Sequence, residues 1–168
     1  MRILLITTCL ANIAFAFGSL PWMPERMAVH FATDGSVNRF DSPIVYAVIM
    51  SVVACFVTSI IFGISFFTSF STTHMQEFVN IPHRDYWMNE ENRPKTVRRL
   101  CYTGELIGLG TLLLILLIQW ELVRVNLTVP PRQPSISILM YGIGVLLAVI
   151  VFENVRVFLS FRLPKSES

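Results

Sequence analysis

The sequence predicts an all-α integral membrane protein: a single domain of four transmembrane helices with both termini cytoplasmic. Three observations lead there. Of 168 residues, 54% are hydrophobic and 14% charged, and the mean hydropathy is +0.61. A soluble domain carries about 25% charged residues, so water cannot face most of this surface. The apolar residues gather into four runs, residues 3–20, 44–70, 102–123 and 136–158, each near the roughly 20 residues that cross a bilayer as a helix. None alternates with polar residues, as barrel strands would. Finally, nine of the 13 Lys and Arg residues (Arg2, Arg84, Arg93, Lys95, Arg98, Arg99, Arg156, Arg162 and Lys165) fall on one side of that arrangement. Arg26, Arg39, Arg124 and Arg132 fall on the other. The excess of basic residues marks the cytoplasmic face.

The first run follows Arg2 and contains Ala14-Phe15-Ala16, which imitates a signal-peptidase site. It continues through Phe17 to Leu20, long enough to span, and is read as a retained helix. An external loop, residues 21–43, comes next. Pro21 and Pro24 end the first helix, while Asp34-Gly35 and Asp41-Ser42-Pro43 are turn chemistry. The loop is read as a structured turn ordered around His30 and Phe31. His30 and Asp34 are four apart, yet two ligands fall short of a zinc site. A loop-ordering hydrogen bond is preferred to a metal or a pH sensor.

The second run is longer than the hydrocarbon and must tilt or protrude. Ala47, Ser51, Cys55, Ser59 and Gly63 recur on it at fourfold spacing, a small-residue stripe of the kind that lets helices approach in lipid. A cytoplasmic loop, residues 71–100, is broken at Asn80-Ile81-Pro82. His74, Glu77, His83 and Asp85 form a loose cluster there with irregular spacing, and no metal is assigned to it. Pro94 suits the first turn of the third helix, which then protrudes inside the cell, with Arg98 and Arg99 snorkelling at the interface. The third run carries Gly104, Gly108 and Glu105, an acid with no partner three or four positions away. Glu121–Arg124 and Glu153–Arg156 are i, i+3 pairs near span ends. Residues 124–135 form a second external loop with the sequon Asn126-Leu127-Thr128, and residues 159–168 a cytoplasmic tail. The fourth run holds Gly144 and Ala148. Trp22 and Trp120 mark the outer interface.

Several function classes find no support in these residues. A net charge of +2 and the lack of an aromatic-basic stripe argue against nucleic acid. Cys9, Cys55 and Cys101 match no metal or disulfide framework. No phosphate loop, dinucleotide fingerprint, zincin motif or nucleophile elbow occurs, so no catalytic residue, cofactor or metal is assigned. No chain of acids or histidines crosses the membrane, which leaves a pump or transporter poorly supported.

Two stretches resemble a known family. "MPERMAVHFATDG", Met23–Gly35, is similar to the signature of the bacterial membrane family called domain of unknown function 1648, the N-terminal domain of SdpI-type immunity proteins. Pro24, Met27, His30, Phe31 and Gly35 fall in register, while Ala28 stands where a second proline is usual. "VNIPHRDYWMNEENRP", Val79–Pro94, resembles a cytoplasmic motif of shorter four-span relatives through Asn80, Pro82, Arg84, Tyr86 and Trp87. The resemblance covers about the first hundred residues. It implies a bacterial cytoplasmic-membrane protein and, through the SdpI type, immunity to a secreted toxin coupled to capture of a repressor.

The expected function is non-enzymatic: a multi-pass protein that binds a partner through its two motif loops, for sensing, immunity or signalling. The alternative is an accessory subunit of a larger membrane complex, or a homo-oligomer, with the second-span stripe as contact face. A third reading places transport or catalysis at His30 or Glu105.

Overall fold

The computed structural model describes residues 1–32, 34–70, 79–128 and 130–162, with backbone alone at 67–70; it is 72% helical. Helix α1 spans Arg2–Gly18 and ends in a 3₁₀ turn, Leu20–Trp22, built around Pro21. Strands β1 (Met27–Phe31) and β2 (Val37–Asp41) follow, then α2 (Pro43–Phe70). A one-turn α3, Arg84–Trp87, precedes α4 (Arg93–Asn126) and α5 (Ile136–Ser160). Among the described residues, four helices are long and apolar enough to cross a membrane.

The first loop departs from the all-α expectation. β1 and β2 pair antiparallel, Met27 opposite Asp41 and Phe31 opposite Val37, with register shifts between Ala28 and Phe31. Gly35 turns the chain at φ 82°, a conformation that costs a glycine nothing. The turn residues were legible in the sequence. The strands were not, because each is five residues long and their apolar partners belong to the helices. An isolated two-stranded hairpin is marginal at best; this one is buried at Met27 and Ala28 against the bundle.

Helices α1, α2 and α4 pack on one another, whereas the extensive helix contacts of α5 are with α4 alone. One core cluster joins Leu5 and Cys9 to Ala54, Leu112 and Ile115. A second joins Ala16, Tyr46 and Ala47 to Met27 of the hairpin. Gly108 marks the closest approach of the three helices: a Cβ there would meet Ile61 at 2.7 Å and Leu5 at 3.4 Å.

The small-residue stripe on α2 follows that seam only in part. Ala47 is buried and Ser51 and Gly63 half-buried, but Cys55 and Ser59 face outward. Fourfold spacing advances about 40° beyond a full turn per step, so five members sweep off any single contact line. The buried face runs instead through Ala47, Ala54 and Ile61, at sevenfold spacing.

A polar cluster lies inside this apolar bundle. Asn12 donates to the carbonyls of Thr8 (2.8 Å) and Leu112 (3.2 Å). Gln119 donates to Asn12 Oδ1 at 2.7 Å, and Tyr46 donates to Gln119 Oε1 at 3.5 Å. Each of α1, α2 and α4 contributes one side chain. In lipid, apolar burial does little to choose between helix pairings, so such hydrogen bonds help to fix which faces meet.

Candidate functional site

At one end of the bundle the hairpin is held by a single amide. Asn126, the last residue of α4, is 1% exposed. Its Oδ1 accepts from Ala28 N at 2.6 Å, and its Nδ2 donates to Ala28 O at 3.0 Å and to Leu122 O at 2.8 Å. The side chain thus pairs both backbone groups of one strand residue, as a neighbouring strand would. In the folded chain the sequon's amide nitrogen is buried and doubly bonded. Nearby, Arg124 grips Glu121 through Nε at 2.8 Å and a terminal nitrogen at 2.5 Å. The backbone N–H of Ser135, the residue capping α5, donates to the same carboxylate. Glu121 therefore ties the start of α5 to α4, with its charge at a favourable helix N-terminus.

The outward side of the hairpin carries the polar residues. His30 Nδ1 lies 2.6 Å from Asn38 Oδ1 on the opposite strand, and Arg39 pairs with Asp41 at 2.8 Å. Between β1 and α2, His30, Arg39 and Asp41 rim a crevice of about 200 Å³ with Tyr46, Met50 and Leu122 in its wall. Val45 and Ile49 line the same crevice and are exposed, so its polar rim gives onto the apolar flank of α2. Phe31 and Pro24 are half-buried beside the strands. Gly35 sits against Gln133, whose side chain a Cβ would meet at 2.9 Å.

Asp34 closes the turn by accepting from Ser36 N (2.9 Å) and Ser36 Oγ (2.7 Å). These bonds, the hydroxyl's first, hold its carboxyl below the ordinary 3.8. A depressed carboxylate stabilises above its unfolded value and loses that contribution as pH falls through the folded one. The turn is therefore expected to stay closed down to about pH 4 and loosen below it. The Ser36 amide resonance followed through an acid titration checks this, and Asp34→Asn should abolish the titration.

At the other end, Trp87 is the meeting point. Its indole N–H donates to Phe161 O at 2.9 Å and its ring packs edge-on against Phe161 at 5.5 Å. Thr96 Oγ1 donates to Trp87 O at 2.8 Å, and Asn92 Nδ2 to Tyr86 O at 3.2 Å. Phe161, 1% exposed, is thus locked at the end of α5. Of the other motif residues, Arg84 pairs with the adjacent Asp85 at 3.3 Å, Asn80 is exposed and Pro82 half-buried.

Glu105 finds its partner far away in sequence: Arg2 Nε donates to its carboxylate at 3.1 Å. The pair Glu153–Arg156 forms at 2.6 Å, and Thr103 donates to Glu153 at 3.4 Å, which ties α5 to α4 again.

No family model, curated protein or solved structure matches the chain. Of the predicted residues, the structure gathers His30 with Asn38, Arg39 and Asp41, while Ala47 lies below in the core. Trp87 and Tyr86 join the ends of α4 and α5 rather than projecting away. Among the described residues no three His, Cys, Asp or Glu side chains group as metal ligands; His74 and Glu77 of the loose cluster lie outside those residues.

Asn126 and Glu121 carry the hairpin end, and neither role was legible from sequence. The available signal was a row of polar side chains, Gln119, Glu121 and Asn126, on the last turns of an otherwise apolar helix.

Proposed function

We propose a non-enzymatic multi-pass membrane protein, in the cytoplasmic membrane of a bacterium, that recognises a partner at its hairpin end. The observation that carries this reading is the crevice between β1 and α2. It offers a histidine and an arginine–aspartate pair above an apolar wall, on a hairpin that Asn126 fixes in place. An amphiphilic segment, such as a membrane-inserting peptide, has both of the surfaces this crevice would recognise. The resemblance of Met23–Gly35 to the SdpI-type signature points the same way, towards immunity or sensing outside the cell, with the basic end in the cytoplasm.

The test is a photo-crosslinking residue at Ile49 in cells. It is expected to capture one discrete partner, and the adduct should fade with His30→Ala or Arg39→Gln. Capture of lipid alone, or an adduct indifferent to both variants, overturns the proposal.

One observation favours the accessory-subunit reading: the most apolar stretch of α5 is only 6% buried, and Gly144 meets nothing within 4 Å. The contact helix in that case is α5 rather than α2. A protein adduct from a probe at Val151, with none from Ile49, selects it.

A further inference from the structure

We propose that the basic end of the bundle binds the phosphate of an anionic phospholipid, at the face of α4 formed by Lys95, Arg98, Arg99 and Tyr102. These residues stand at i, i+3, i+4 and i+7, the spacing that brings side chains to one side of a helix. Two clefts meet there. One, of about 590 Å³, lies between the start of α1 and α4 and is lined by Arg2, Ile3, Val97 and Glu105 among others. The second, of about 410 Å³, lies against the Trp87–Phe161 contact and is lined by Lys95 and Arg99. Arg98 and Tyr102 line both.

The local charge is uncompensated. Arg2 and Arg156 already hold the buried carboxylates of Glu105 and Glu153. Those pairs neutralise Glu105, which lines the first cleft, and Glu153 beside it on α5. Lys95, Arg98 and Arg99 form no salt bridge among the described residues. Arg99 rests over the Phe161 ring at 5.9 Å, which orients the guanidinium plane while leaving its edge donors open to a phosphate.

A lipid suits this place better than a soluble anion because the walls are apolar and exposed. Ile3 is 77% exposed and Tyr102 42%, so an acyl chain can continue along α1 and α4 from a phosphate held at Arg98. Basic pockets between transmembrane helices are a known means of binding such head groups. The site lies at the opposite end from the hairpin crevice and stands or falls independently of it.

The test uses the full chain with Trp22→Phe and Trp120→Phe, leaving Trp87 as the sole reporter beside the second cleft. It is placed in nanodiscs of phosphatidylcholine containing phosphatidylglycerol, with bromine on the acyl chains of one lipid or the other. Brominated phosphatidylglycerol is expected to quench Trp87 several-fold more effectively than brominated phosphatidylcholine. Each basic residue contributes about fivefold to such a preference. The preference should therefore disappear in Lys95→Gln/Arg98→Gln/Arg99→Gln and persist in Arg26→Gln/Arg84→Gln/Arg132→Gln, which removes the same charge elsewhere. Equal quenching by the two lipids, or a preference that survives the first triple variant, overturns the proposal. Displacement of the lipid by inorganic phosphate overturns the lipid assignment in favour of a soluble anion.

Discussion

Asn126→Leu is expected to free the hairpin from the bundle. The substitution leaves the N–H and C=O of Ala28 buried without partners, and each such group costs about 1–3 kcal/mol. The whole loss is about 2–6 kcal/mol, less whatever the leucine regains by packing. Because the hairpin is marginal by itself, the effect should be local: hydrogen exchange at the Ala28 amide accelerates, while amides near Gly108 remain protected. Asn126→Asp retains an acceptor for Ala28 N–H but turns a buried carboxylate on the carbonyls of Ala28 and Leu122, and at neutral pH should loosen the hairpin at least as much as leucine. Unaltered exchange at Ala28 in the leucine variant would show that the apolar contacts of Met27 suffice to dock the hairpin.

Trp87→Ala is expected to detach the far end of α5. The indole fills the space beside Phe161 and supplies the donor to its carbonyl; for a half-buried tryptophan the loss is about 3 kcal/mol. Trp87→Phe keeps a ring and forfeits only the hydrogen bond, about 1 kcal/mol. A spin label at Leu159 reads the result directly, with the sharpest spectrum in the alanine variant and an intermediate one in the phenylalanine variant. A spectrum unchanged in both would mean that the Glu153 and Arg156 contacts alone secure the end of α5. The hairpin should be indifferent to either change.

Much of the fold was legible because helices long and apolar enough to cross a membrane announce themselves by length and hydropathy. Pro94 falls in the first turn of α4 as expected, Pro43, read as turn chemistry, opens α2, and Gly108 marks a close approach. The i, i+3 pairs of Glu121 and Glu153 were legible too, since both partners share one helix. What escaped was non-local. Glu105 looked partnerless because Arg2 lies on another helix, and Asn126 was seen only as part of a sequon because its partner is a strand almost a hundred residues earlier. The α2 stripe follows the seam within the chain only in part for a simpler reason: a fourfold repeat winds around the helix instead of tracking one neighbour. His30 was singled out as an ordering residue, and its hydrogen-bond partner, Asn38, required the hairpin register.

Helix α4 reaches every part of this molecule. It brackets the hairpin with Asn126, anchors α5 with Glu121 and Thr103, meets α1 and α2 at Gly108, and holds Trp87 with Thr96. At 34 residues and about 1.5 Å per residue it is a rod of about 50 Å, well beyond the roughly 30 Å of hydrocarbon. A stiff rod with attachments at both tips works as a lever. A tilt of only about 5° about one tip would carry the other sideways by about 4 Å over that length. A displacement at the hairpin end is thus carried to the basic collar at the other end of the bundle, with no moving part between them but the backbone of one helix.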